Sequence, residues 1–216
     1  MKRVFGMIEV IFDILYLFTS MMIGIVLIIS ASGNTIRIIA GLMAIVLSGG
    51  DAFHLIPRIL VIITGREETY QRMLGRGKQI TSITMTLFYI LLWHIGISVY
   101  RIDNLAILTY TLYLLAIIRI FLCFLPQNKW LDRYPPALWG IYRNIPFLLI
   151  GMLVGGMFFM NRSIPSSFGL AWLAICLSFI FYIPVVLWAN SNSKIGMLML
   201  PKTLAYVWLL VMCLSI

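Results

Sequence analysis

Residues 37–64 read RIIAGLMAIVLSGGDAFHLIPRILVIIT. A helix rises about 1.5 Å per residue, so about 20 apolar residues cross the roughly 30 Å hydrocarbon core of a bilayer, and this run exceeds that length. Arg37, Asp51, His54 and Arg58 are its only ionisable residues, too few for the wetted face that a long water-soluble helix needs. Working outward, comparable apolar runs occupy 4–30, 79–100, 105–125, 139–160, 167–190 and 196–216. The expectation is an all-α fold: a polytopic transmembrane helical bundle of about seven spans, forming one integral membrane domain over residues 1–216.

Composition points the same way. Hydrophobic residues make up 62% of the 216 positions and charged residues 11%, against roughly 25% charged in ordinary soluble domains. The stretch after Met1-Lys2-Arg3 has the outline of a signal peptide, yet it stays apolar to about Ser30 without a clear small-residue cleavage site, and it reads as a retained first span. Cys123, Cys176 and Cys213 all fall within spans with no paired spacing, as small buried hydrophobes do. The two histidines rule out a zinc site built from three, and the sequence implies neither a metal nor another cofactor.

The formal charge of +9 is explained by topology rather than by nucleic acid. The N-terminus and the junctions after spans two, four and six share one side, which collects Lys2, Arg3, Arg66, Arg72, Arg76, Lys78, Lys129, Arg133 and Lys194; the other side keeps Arg37, Arg101 and Arg162. The positive-inside rule then puts the N-terminus in and the C-terminus out, with a bacterial cytoplasmic membrane as the expected location. Residues 65–78, GREETYQRMLGRGK, read as a basic loop that fixes topology or touches anionic headgroups. Residues 127–136, with Trp130 and Tyr134, read as an interfacial loop with an aromatic anchor. Gly151 and Gly155 form a GxxxG in the fifth span, a packing notch for another helix. The chain on either side of the fourth span, 4–100 and 139–216, divides as two three-helix units would, without a residue-level repeat.

Ionisable groups inside a bilayer cost at least a few kcal/mol each when unpaired, so each is a functional candidate. In the first span Glu9, Asp13, Tyr16 and Ser20 follow at steps of four, three and four, along one helical face. In the second, Ser48, Asp51, His54 and Arg58 form another stripe, flanked by Gly49-Gly50 and Pro57. Arg119, Arg143 and Lys202 fall at similar depth. The candidate catalytic residues are Asp51, His54, Glu9 and Asp13; the candidate substrate-binding residues are Ser48, Arg58, Arg119, Arg143 and Lys202. Together they would line one cytoplasm-facing cavity, the bases holding an anionic headgroup and an acid exchanging protons. The bland alternative is that these charges neutralise one another to pin helices, or snorkel to the interface. His94, beside Trp93 in the third span, reads as a polar packing residue. Lys202 invites comparison with retinal-binding proteins, but the third span has no acid to serve as counter-ion.

The segment VLSGGDAFHLIPR resembles the S-x-x-G-D-x-x-L region of the lysoplasmalogenase-like membrane hydrolases, with Ser48, Gly50, Asp51 and Leu55 at the matching positions. FYILLWH, ending in His94, is similar to that family's F-x-x-x-H stretch. The resemblance implies hydrolysis of the vinyl ether bond of a lysoplasmalogen, with Asp51 protonating the vinyl ether carbon or activating water, and Glu9 or Asp13 as second carboxylate. That family's second acid lies in a C-terminal Ser-Asp pair; here Asn190-Ser191-Asn192 carries none, and the family usually has eight spans. Three functions follow as expectations: an enzyme acting on a lipid or lysolipid, a small carrier of an anionic or amphipathic solute, and a non-catalytic accessory protein. The expected partners are the bilayer and a lipid or small-molecule substrate; the oligomeric state is left open.

Overall fold

The computed structural model describes residues 2–133, 135–189 and 192–216; Met1, Tyr134, Asn190 and Ser191, and the side chains of Lys2, Arg3, Val4, Phe5 and Ser193, lie outside the described residues. The described chain is helical throughout its regular structure: α1 (Lys2–Ile29), α2 (Thr35–Thr64), α3 (Glu67–Tyr100), α4 (Ala106–Phe124), α5 (Ala137–Met160), α6 (Ala171–Trp188) and α7 (Met199–Cys213), with short 3-10 turns at Pro126–Asn128 and Ser193–Leu198. Among the described residues, seven helices are long and apolar enough to span a bilayer. Each packs on its sequence neighbour, α7 closes on α1, and α3 also touches α5 across the ring.

The surface identifies the solvent. Ile107, Tyr110, Ile117, Phe121 and Phe124 stand exposed along α4, whereas Asp13, Arg119 and Lys202 are buried. In water such an apolar girdle would aggregate; in hydrocarbon it is the required exterior, and polar groups must satisfy themselves inside. The chain is an integral multi-pass membrane protein.

Two sequence-based expectations need correction. The basic segment 65–78 is not a loop: the chain turns at Gly65, which caps α2 in the left-handed region at φ 70°, and is helical again from Glu67. Acidic Glu67 and Glu68 sit in the first turn of α3, where the helix dipole favours them. The 34 residues of α3 span roughly 51 Å, about 20 Å more than the hydrocarbon core. Cys176 is exposed on the bundle's outside, while Cys123 and Cys213 are buried. The Gly151–Gly155 notch takes another helix as expected, with Phe179 and Ile175 of α6 packed into it.

The tightest seam joins α2 and α3, and a proline explains it. Pro57 deprives the Phe53 carbonyl of its helical donor, an expensive defect in a bilayer. Gly77 turns its bare Cα to that same carbonyl, so closely that a Cβ there would overlap it, as in a weak Cα–H···O contact. One turn deeper, Gly50 faces Thr84, and the Thr81 hydroxyl donates to the Gly50 carbonyl at 3.0 Å. Gly77→Val is therefore expected to push backbone against backbone and destabilise the protein by about 1–3 kcal/mol or more. Thermal unfolding in detergent checks this, and an unchanged Tm would show that the seam is loose.

Candidate functional site

The stripe on α1 and the stripe on α2 face each other, so the polar residues form layers. Nearest the α2–α3 turn, Arg58 forms an ion pair with Glu9. One turn deeper, Asp13 is 5% exposed, its Oδ2 has no hydrogen-bond partner, and it feels the charges of Glu9, Arg58 and Asp51. His54 lies among Arg58, Lys78 and Lys202, beside the Leu74 backbone, with Nδ1 unpartnered.

Deeper still, the Tyr16 hydroxyl donates to Asp51 Oδ2 at 2.6 Å. On the other side Asp51 faces the ammonium of Lys202 without closing to a direct ion pair. Lys202 is 6% exposed, and its Nζ lies 4.4 Å from the centre of the Tyr182 ring and 5.3 Å from that of Tyr206. Such cation–π contacts partly replace lost hydration.

Arg119 is the most demanding group in this layer. It is 1% exposed, its guanidinium lies over Phe147 at 3.4 Å, and Nε and Nη1 have no hydrogen-bond partner. The groups that act on its charge are Tyr182, Cys123, Tyr206, Tyr89 and the like-charged Lys202. No carboxylate is among them. The Phe147 ring and a hydrogen bond with the Cys123 side chain repay only part of the several kcal/mol that burying such a cation costs.

The sequence-predicted residues thus divide. Glu9, Asp13, Asp51, His54 and Arg58 come together between α1 and α2, Lys202 of α7 adjoins them beside Asp51 and His54, and Arg119 of α4 adjoins Lys202. Ser48 does not join them: its hydroxyl bonds back to the Ala44 carbonyl at 2.9 Å within its own helix. Arg143 is a clamp on the α4–α5 connection, donating to Asn128 Oδ1 at 2.9 Å and lying over Trp130 at 4.1 Å. Asn128 in turn caps the end of α4 by donating to the Leu122 and Leu125 carbonyls. Trp130 folds back to donate to the Cys123 carbonyl at 2.9 Å. His94 meets the Tyr113 hydroxyl at 2.7 Å, the polar packing role expected of it.

Sequence reasoning missed the aromatic walls, Phe147, Tyr182, Tyr206 and Tyr89, and placed Lys78 in a loop. Tyr206 had a local signal, since it follows Lys202 by one helical turn; the others arrive by long-range packing.

Two openings lie nearby. A surface cleft of about 390 Å³ is lined by Arg76, Gln79, Lys129, Trp130 and Asp132 among others, none of them from the expected cluster. A smaller groove of about 120 Å³ runs between α5 and α6, and Phe147 and Tyr182 are among its walls. No group of three His, Cys, Asp or Glu side chains has metal-binding geometry among the described residues.

The arrangement offers two cations to an anion and a carboxylate, hydrogen-bonded to a phenol, to a reacting atom beside it. Comparison with protein-family models, with curated proteins and with solved structures finds no match for this chain, so the functional reading stands on this geometry.

Proposed function

We propose that this protein is an enzyme of a bacterial cytoplasmic membrane, N-terminus in and C-terminus out, that acts on a lipid or lysolipid with an anionic headgroup. One observation carries the reading. Arg119 is a buried guanidinium with no carboxylate beside it and with unpartnered N–H groups, and such a charge in hydrocarbon calls for an anion. Lys202 adds a second positive charge, and Asp51 stands opposite it.

The chemistry follows from that placement. For a vinyl ether lipid, Asp51 in its acid form delivers a proton to the β-carbon of the double bond. Water adds to the resulting oxocarbenium carbon and loses a proton to the Asp51 carboxylate. The hemiacetal then collapses to an aldehyde and the freed glycerol hydroxyl. Tyr16 holds the Asp51 carboxyl in orientation through its hydrogen bond, and Asp13 is the second carboxylate within electrostatic reach.

A second reading, a carrier of the same anion, draws on Pro57, Pro146 and Pro184 inside helices. Those helices nevertheless run continuously through their prolines, without the unwound segments on which carriers build their midplane sites. The test is headgroup release from a panel of lysophospholipids and lysoplasmalogens by purified protein in detergent. Turnover of an anionic member supports the enzyme. Failure on every lipid, with anion uptake into liposomes, would replace it by the carrier.

A further inference from the structure

The two buried cations share an architectural feature. Each lies against an aromatic ring, Arg119 on Phe147 at 3.4 Å and Lys202 on Tyr182 at 4.4 Å. Both rings are also walls of the groove between α5 and α6. Ile145 and Ile183, 51% and 38% exposed, stand at its lips on the hydrocarbon-facing surface. The same two rings therefore face lipid-side space and the basic pair.

The groove has a fastening and two weak points. The Tyr182 hydroxyl donates to Asn144 Oδ1 at 2.9 Å, tying α6 to α5 between two groove-lining residues. Pro146 lies in α5 beside Ile145 and Phe147, and Pro184 lies in α6 beside Ile183. Each removes one backbone hydrogen bond, from the Tyr142 and Ile180 carbonyls respectively, at the level where the helices flank the opening.

We infer that the α5–α6 groove is a lateral portal: an amphiphile already dissolved in the bilayer lodges part of its apolar chain between α5 and α6 while its anionic head reaches Arg119 and Lys202. The role of the head site rests on the function proposed above. Charge selects this occupant, because the groove is apolar at its lips and the buried cations lie against two of its wall residues, Phe147 and Tyr182. Size limits it as well. At about 120 Å³ the groove is somewhat smaller than an engineered cavity of about 150 Å³ that admits benzene, so it takes a few methylenes of one chain. Swinging Tyr182 away from Asn144 opens the way for the head, and the ring it withdraws from Lys202 is replaced by the arriving anion.

Photolabelling tests the portal. The probe is a single-chain alkyl phosphate with a diazirine in its chain, and the corresponding alkyl alcohol is the neutral control. With full-length protein in detergent, labels are expected to concentrate on Ile145, Leu148, Ile183 and Val186, to be competed by unlabelled alkyl phosphate, and to fall at least tenfold for the alcohol. Val186→Phe fills the groove from the lipid side and is expected to suppress this labelling as strongly, with Tm unchanged, whereas Val186→Ala preserves it. Equal labelling by the alcohol, labels spread evenly over the outer faces of α1 and α4, or indifference to Val186→Phe would each overturn the portal. Headgroup release from a short-chain, water-soluble substrate separates the two proposals: Asp51-dependent release without groove labelling leaves the enzyme and removes the portal, and phosphate-selective labelling without release does the reverse.

Discussion

Asp51→Asn is expected to lower turnover of an anionic lipid about 10²–10⁴-fold, the usual contribution of a positioned proton donor or acceptor, while Tm in detergent moves little. Asparagine has nearly the shape of aspartate and keeps an oxygen for the Tyr16 hydroxyl, which now donates to Asp51 at 2.6 Å. What it lacks is a proton to exchange. Asp51→Leu separates chemistry from architecture. Tyr16 is 3% exposed, and stranding its hydroxyl adds about 1–3 kcal/mol of destabilisation to the lost activity. Steady-state rates beside thermal unfolding make the distinction, and an asparagine variant with wild-type turnover would end the assignment of Asp51 to the chemistry.

Arg119→Met is expected to act in opposite directions on binding and on stability. Methionine fills much of the same volume and still packs on Phe147, but it removes a buried guanidinium that no carboxylate offsets. Replacing buried charge by apolar bulk is often neutral or stabilising, so the ligand-free Tm should hold or rise. Binding should suffer. A hydrogen bond to a charged group contributes about 1.5–3 kcal/mol, or roughly 10–100-fold in affinity, and the stabilisation that an anionic lipid gives the wild type through mass action should largely vanish. A marked fall in the ligand-free Tm would instead show that Arg119 pins helices together.

How much of this was legible in the chain depends on the range of the signal. The spans were legible because hydrocarbon imposes one rule on every residue of a span. The start of α3 was not: hydropathy is blind to a polar helix, and GREETYQRMLGRGK has the glycines and charges of a loop. Its helicity follows from docking on α2, where Gly77 meets the Phe53 carbonyl. Similarly, the facing of the α1 and α2 stripes was readable, since Glu9, Asp13 and Tyr16 recur at helical spacing and must look inward. Depth along the chain brought Arg119 and Lys202 to the right level, but the same criterion also admitted Arg143. Depth fixes height in the membrane and says nothing of azimuth, and Arg143 turns instead to Asn128 and Trp130. The aromatic walls needed the tertiary structure because a tyrosine beneath a lysine of another helix leaves no local trace.

The long α2–α3 hairpin joins aqueous and hydrocarbon territory in a single stiff piece. Arg72 rides on α3 and Asp51 and His54 on α2, two rods joined at the Gly65-Arg66 turn and locked by the glycine seam. Force applied at the Gly65 turn would thus arrive at Asp51 as a rigid tilt rather than be absorbed on the way.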